Sequence, residues 1–147
     1  MRLWPFVPIA LALLAGCGGP YRVAPVSGRV TLDGKPLANA SVTFVPMATK
    51  ENQAPGPTAW GPTDADGRYR LSVTPETPGG VVGKCRIYIS GLLPDQMQQQ
   101  ASEERDTGGK RRLPKDPVPE KYNKRTELVF DVPVGGTDKA NFDLSSR

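Results

Sequence analysis

Cys17, Cys85, Asp64, Asp66, Trp60 and the basic residues from Lys110 to Arg125 are the side chains whose types and spacing offer chemistry in this chain. Histidine is absent. That removes an imidazole base, a His-ligated metal and any Ser–His or Cys–His nucleophile. Paired carboxylates are the remaining catalytic option, and no two acids share a predicted strand in an arrangement suited to proton transfer. The reading is therefore non-enzymatic, with no cofactor. Asp64 and Asp66 beside Gly67 offer two oxygens of a calcium loop, but such a loop needs further ligands and a closing Glu. Arg68 and Arg70 stand there instead, so the segment reads as a turn and no metal is expected.

Cys85 lies in an alternating run with Ile87 and Ile89, the setting of a small core hydrophobe more than of a reactive thiol. Trp60, beside Gly61-Pro62, suits either of two roles: covering a sheet edge or stacking on a ligand. Lys110, Arg111, Arg112, Lys115, Lys121, Lys124 and Arg125 face only Asp116 and Glu120 in the same segment, a local charge of +5 within a chain of +4. Such a cluster is either a solvated loop or a contact for anionic headgroups and acidic wall polymers, at about 1 kcal/mol per basic residue and weaker in salt. Nucleic acid fits poorly, because basic and aromatic residues are not interleaved.

The N-terminus gives an address. Arg2 precedes an apolar run from Leu3 to Leu14, which is shorter than the roughly 20 residues a spanning helix needs. It ends in Leu14-Ala15-Gly16-Cys17, which resembles the bacterial lipobox. The resemblance implies cleavage between Gly16 and Cys17 and a lipidated Cys17 sulfur, with fatty acyl chains of the palmitate type holding the protein on a membrane. The other reading is an ordinary signal peptide with a cysteine near the cut. Gly18 and Gly19 follow, with no Asp; by the same resemblance this favours the outer membrane, facing the periplasm or the cell surface. Residues 1–16 are then a discarded signal, 17–25 a tether and 26–147 the domain. With Cys17 alkylated, Cys85 has no disulfide partner.

Sixteen Gly and sixteen Pro in 147 residues favour many short strands in one domain. Val26 to Leu32 alternates with Val26, Gly28, Val30 and Leu32 on one face, and Asp33-Gly34 turns it. Val42 and Phe44 face inward in Ser41 to Val45, and Pro46 lacks an N–H with which to continue the ladder. Ala59 to Thr63 enters a hairpin whose turn is Asp66-Gly67 and whose return strand carries Tyr69, Leu71 and Val73 inward. Cys85, Ile87 and Ile89 follow. Then Leu128, Phe130 and Val132 alternate, Gly135-Gly136 turns, and Ala140, Phe142 and Leu144 close the chain. Residues 91–125 form a long polar excursion, read as a frayed helix over Asp95 to Arg105 or as partly disordered. About seven strands at this spacing make an all-β antiparallel sandwich with one long polar loop.

The segments VSGRVTLDGKPLANASVTFVP (Val26 to Pro46), TDADGRYRLSV (Thr63 to Val73) and GKCRIYIS (Gly83 to Ser90), with PEKYN (Pro119 to Asn123) and NFDL (Asn141 to Leu144), resemble the bacterial carboxypeptidase regulatory-like domain. The resemblance implies a seven-stranded transthyretin-like, or prealbumin-like, sandwich and no catalytic residues. Cys85 stands where that family places a large aromatic. Two functions remain open: a structural or interaction module for an envelope protein or cell-wall polymer, and a small-ligand or carbohydrate binder using Trp60.

Overall fold

The structure is a computed structural model that describes residues 21–51, 53–95 and 115–147. The expected signal over residues 1–16, Cys17, Lys110, Arg111, Arg112 and the helical reading beyond Asp95 lie outside those residues. The described chain is all-β. In order it forms β1 (Val23–Ala24), β2 (Ser27–Leu32), β3 (Lys35–Pro36), β4 (Ser41–Pro46), β5 (Ala59–Pro62), β6 (Arg68–Arg70), β7 (Ser72–Thr74), β8 (Thr77–Pro78), β9 (Gly80–Val81), β10 (Gly83–Ser90), a 3-10 turn (Glu120–Tyr122), β11 (Val129–Val132) and β12 (Phe142–Leu144). The pieces are shorter and more numerous than the periodicity suggests, because kinks divide runs that the alternation leaves continuous.

Two main sheets face each other. The larger has the order β11-β10-β4-β5-β7-β8, and the smaller β12-β2-β3 with β6 paired to β2; β1 and β9 form a separate two-stranded ribbon. Val42, Phe44, Cys85, Ile87 and Ile89 fill the space from one side, and Val30, Tyr69, Phe142 and Leu144 from the other. Phe44 is central, with ring centroids 5.8 Å from Phe130, 6.1 Å from Phe142 and 6.5 Å from Tyr69. The tilted and edge-on arrangements suit aromatic quadrupoles. The period-two pattern thus identified the inward residues on both sheets.

Three expectations change. The strand expected from Tyr69 to Val73 divides at Leu71: β6 pairs with β2 in the small sheet, and β7 with β5 in the large one. Leu71 carries the crossing, donating its N–H to Val26 O at 3.0 Å and accepting from Gly79 N–H at 2.7 Å. The hairpin arms therefore separate into opposite layers. Second, β12 runs parallel to β2, since residues 137–141 cross to the far sheet before β12 begins; alternation carries no information on direction. Third, pairing passes Pro46, because Met47 N–H donates to Lys84 O at 2.9 Å.

The return arm of the polar excursion is anchored. Asp116 accepts from Ser90 Oγ at 2.6 Å, from Gly91 N–H and Val118 N–H at 2.8 Å, and from Asn123 Nδ2 at 3.1 Å. This hub presses Val118 into the core. A single valine between Pro117 and Pro119 has no period, so nothing in the sequence marks it as buried.

Candidate functional site

The register of the β2–β6 ladder sets Arg29 opposite Arg68 and Ser27 opposite Arg70, with Gly28 opposite Tyr69 between them. Alternation turns Tyr69 into the core and leaves Ser27, Arg29, Arg68 and Arg70 on the outer face. They floor an open groove of about 600 Å³, walled by Pro62 and Asp64 on one side and by Asp138 and Asn141 on the other. Like charges directly opposite on neighbouring strands repel. Among the described residues, none of the three guanidiniums has a carboxylate within ion-pair distance; the ion pairs there are Lys124–Glu120 and Arg125–Glu120. Arg29 Nε donates to Asp66 O at 2.9 Å. Asp64 Oδ1 is occupied by the turn, accepting from Asp66 N–H and Arg68 N–H at 2.9 Å each.

Close backbone approach makes the walls. A Cβ on Gly28 would lie 1.9 Å from Ala140 O, and one on Gly61 would lie 2.0 Å from Arg70 O. Glycine at both positions lets residues 138–141 and β5 close on the β2–β6 ladder. Tyr69 OH donates to the same Ala140 O at 2.6 Å, and Arg29 N–H donates to Asn141 Oδ1 at 2.9 Å, fixing the far wall.

A second feature adjoins the groove. On the outer face of the large sheet, Tyr88 is in register with Thr43, Thr43 with Trp60, and Trp60 with Ser72. Trp60 is 44% exposed. Two inter-strand spacings set the Trp60 and Tyr88 backbones about 10 Å apart. Pro62 lies two residues beyond Trp60 on the same face of β5 and in the groove wall, so β5 links the aromatic row to the arginine groove.

The other sequence candidates stand elsewhere. Lys124 and Arg125 share Glu120 at 3.8 and 3.7 Å. Lys121 Nζ donates to Arg147 O and lies 5.0 Å from the Tyr122 ring centre. Lys115 is exposed. Cys85 is fully buried, its Sγ facing Val81 O and Gly83 O at 3.7 and 3.6 Å. Burial, and next the charge of Asp131, push the thiol up to about 11. Alternation alone leaves Arg29, Arg68 and Arg70 outward but does not assemble them, because a pairing between segments some 40 residues apart creates the cluster.

Comparison with protein-family models, with curated proteins and with solved structures found no match.

Proposed function

We propose that this chain is a non-enzymatic lipoprotein of the bacterial cell envelope, anchored through Cys17 to a membrane, the outer one on the residues that follow. Its two-layer sheet domain, of the transthyretin-like kind the sequence resembles, serves as an interaction module for a cell-surface polymer. One observation carries the binding half of this reading: the solvent-facing row of Tyr88, Thr43, Trp60 and Ser72 across the middle strands of the larger sheet. An indole and a phenol held on paired strands form a preorganised platform that loses little entropy on contact. The aromatic faces suit the C–H surfaces of sugar rings, while Thr43 and Ser72 supply hydroxyls that both donate and accept. Cys17, at the end of the Leu14-Ala15-Gly16 segment, supports the anchor.

Two measurements test the reading. Cys17→Ser should release the protein from sedimented membranes and end its labelling by radioactive palmitate; equal sedimentation and labelling would remove the anchor. Cleavage before Cys17 also removes Trp4, leaving Trp60 as the one tryptophan of the processed chain. Its fluorescence should change on adding envelope polysaccharide, and Trp60→Ala should abolish binding while the circular dichroism stays that of a sheet protein. An unaffected Trp60→Ala, or capture of a protein through the 115–125 segment alone, would move the function away from the row.

A further inference from the structure

The groove that Pro62 links to the aromatic row has a hydrogen-bonding inventory of its own. Arg29, Arg68 and Arg70 present guanidiniums from one small area of a rigid ladder. A guanidinium is always charged and offers a planar fork matched to a carboxylate or phosphate oxyanion. Among the described residues these facing cations have no carboxylate within ion-pair distance, so their guanidiniums stay open to an incoming oxyanion. The groove is not uniformly cationic, however. Asp64 and Asp138 line its walls with Ser27 and Asn141. Asn141 uses its Oδ1 on Arg29 N–H, which leaves its amide N–H groups to donate. Carboxylates in the wall disfavour a ligand that offers oxyanions alone. They welcome one that brings hydroxyl donors beside its oxyanion.

From this pattern we infer that the groove binds an acidic sugar residue, with the arginines holding its oxyanion and Asp64, Asp138, Ser27 and Asn141 exchanging hydrogen bonds with its ring hydroxyls. The inference rests on the polymer-binding reading and names its ligand class: a saccharide whose ring faces lie on Trp60 and Tyr88 and whose acidic unit enters past Pro62. The volume of about 600 Å³ falls within the range of small-ligand sites, room for a short stretch of saccharide. A carboxylate-bearing sugar and a phosphate-bearing sugar share this chemistry.

The test is calorimetric titration of the full chain, isolated from its native envelope in mild detergent, with four probes: trigalacturonate, glucose 6-phosphate, neutral maltotriose and polyglutamate. Trigalacturonate or glucose 6-phosphate should bind at least tenfold more tightly than maltotriose, and the tighter of the two identifies the oxyanion. Arg68→Thr and Arg29→Thr should each weaken that binding about tenfold to hundredfold, the range for losing a charge-assisted hydrogen bond. Arg68→Thr should not lower the Tm of the free protein, because it relieves a facing cation pair; Arg29→Thr also gives up the Nε bond to Asp66 O, so Arg68→Thr is the stability control. Asp138→Ala should weaken trigalacturonate but not polyglutamate. If polyglutamate binds as well as trigalacturonate, the groove is only a cationic patch and the sugar assignment is overturned. If maltotriose binds equally and depends on Trp60 alone, the acidic-sugar inference fails while the polymer-binding reading stands. Failure of every saccharide to bind overturns both.

Discussion

Replacing Tyr69 by Phe separates two contributions that a single hydroxyl makes to the fold. The phenol is buried and donates to Ala140 O at 2.6 Å, and Ala140 is itself fully buried. Phe keeps the ring against Phe44 and deletes the donor. Among the hydrogen bonds of the described residues no other reaches that carbonyl, so the variant leaves a buried acceptor unpaired, at a cost of about 1–3 kcal/mol. For a domain of this size that corresponds to a Tm lower by roughly 4–15 °C. Urea unfolding at pH 7, followed by circular dichroism, reads the cost directly.

The same residue gives an alkaline signature with a definite sign. Burial raises the Tyr69 phenol above its ordinary value of 10.0, so only the unfolded chain ionises there easily. The associated stability is whole below pH 10 and is lost as pH rises toward the folded value, at up to about 1.4 kcal/mol per pH unit for one proton. Tyr69→Phe lacks this linkage. The wild-type advantage should therefore shrink above pH 10 and vanish one to two units later. A variant within about 0.5 kcal/mol of wild type at pH 7 would refute the hydrogen-bond argument. Parallel pH profiles for the two proteins would refute the burial argument.

Three further outcomes follow from the same packing. Gly28→Ala, whose new Cβ would lie 1.9 Å from Ala140 O, should cost at least about 2 kcal/mol in urea unfolding, since backbone and not a flexible side chain must move. Cys85, buried and with its thiol raised to about 11, should resist iodoacetamide at pH 8 in the folded protein and react within minutes in urea; fast labelling of the folded chain would contradict its burial. Asp33 is held below 3.8, first by the Ser146 hydroxyl, then by Ser146 N–H at 3.0 Å, with smaller help from Arg147 and Lys121. The contact it gives the C-terminal tail is present above the ordinary value and lost as pH falls through the lower folded one. Amide exchange at Ser146 should accordingly accelerate in Asp33→Asn at neutral pH, and in wild type only in acid.

The core was legible because burial on a sheet has a two-residue rhythm. Val30, Val42, Phe44, Ile87 and Phe142 could be assigned inward from spacing alone, and each is buried. The turns at Asp33-Gly34 and Asp66-Gly67 were legible for a related reason: positive φ at Asp33, Gly34 and Gly67 needs the residue types found there. Partnership between strands had no such local mark. TDADGRYRLSV reads as one strand of a hairpin, yet Arg68–Arg70 joins one sheet and Ser72–Thr74 the other. Val118 escaped for a different reason, since its burial depends on Asp116 clamping Ser90 and Gly91 from across the loop.

The groove falls on the illegible side of that line, which bears on how its arginines should be understood. Each is unremarkable alone: an outward residue on an alternating strand, adding solubility. Only the β2–β6 register brings Arg29 against Arg68 with Arg70 alongside, and the register is held by core residues, chiefly Tyr69 and Gly28 beneath Ala140. A ladder pinned this firmly keeps the three side chains rooted side by side, so an oxyanion that arrives meets all three. The Tyr69 hydroxyl is thus a positioning group for the groove as well as a stabilising one. In Tyr69→Phe the far wall of Ala140 and Asn141 should loosen, and trigalacturonate should bind more weakly even at temperatures where the variant is fully folded. Equal affinity under those conditions would mean that the wall is held by its other bonds, Arg29 N–H to Asn141 Oδ1 and Ala140 N–H to Ser27 O, and that core and groove are energetically separate.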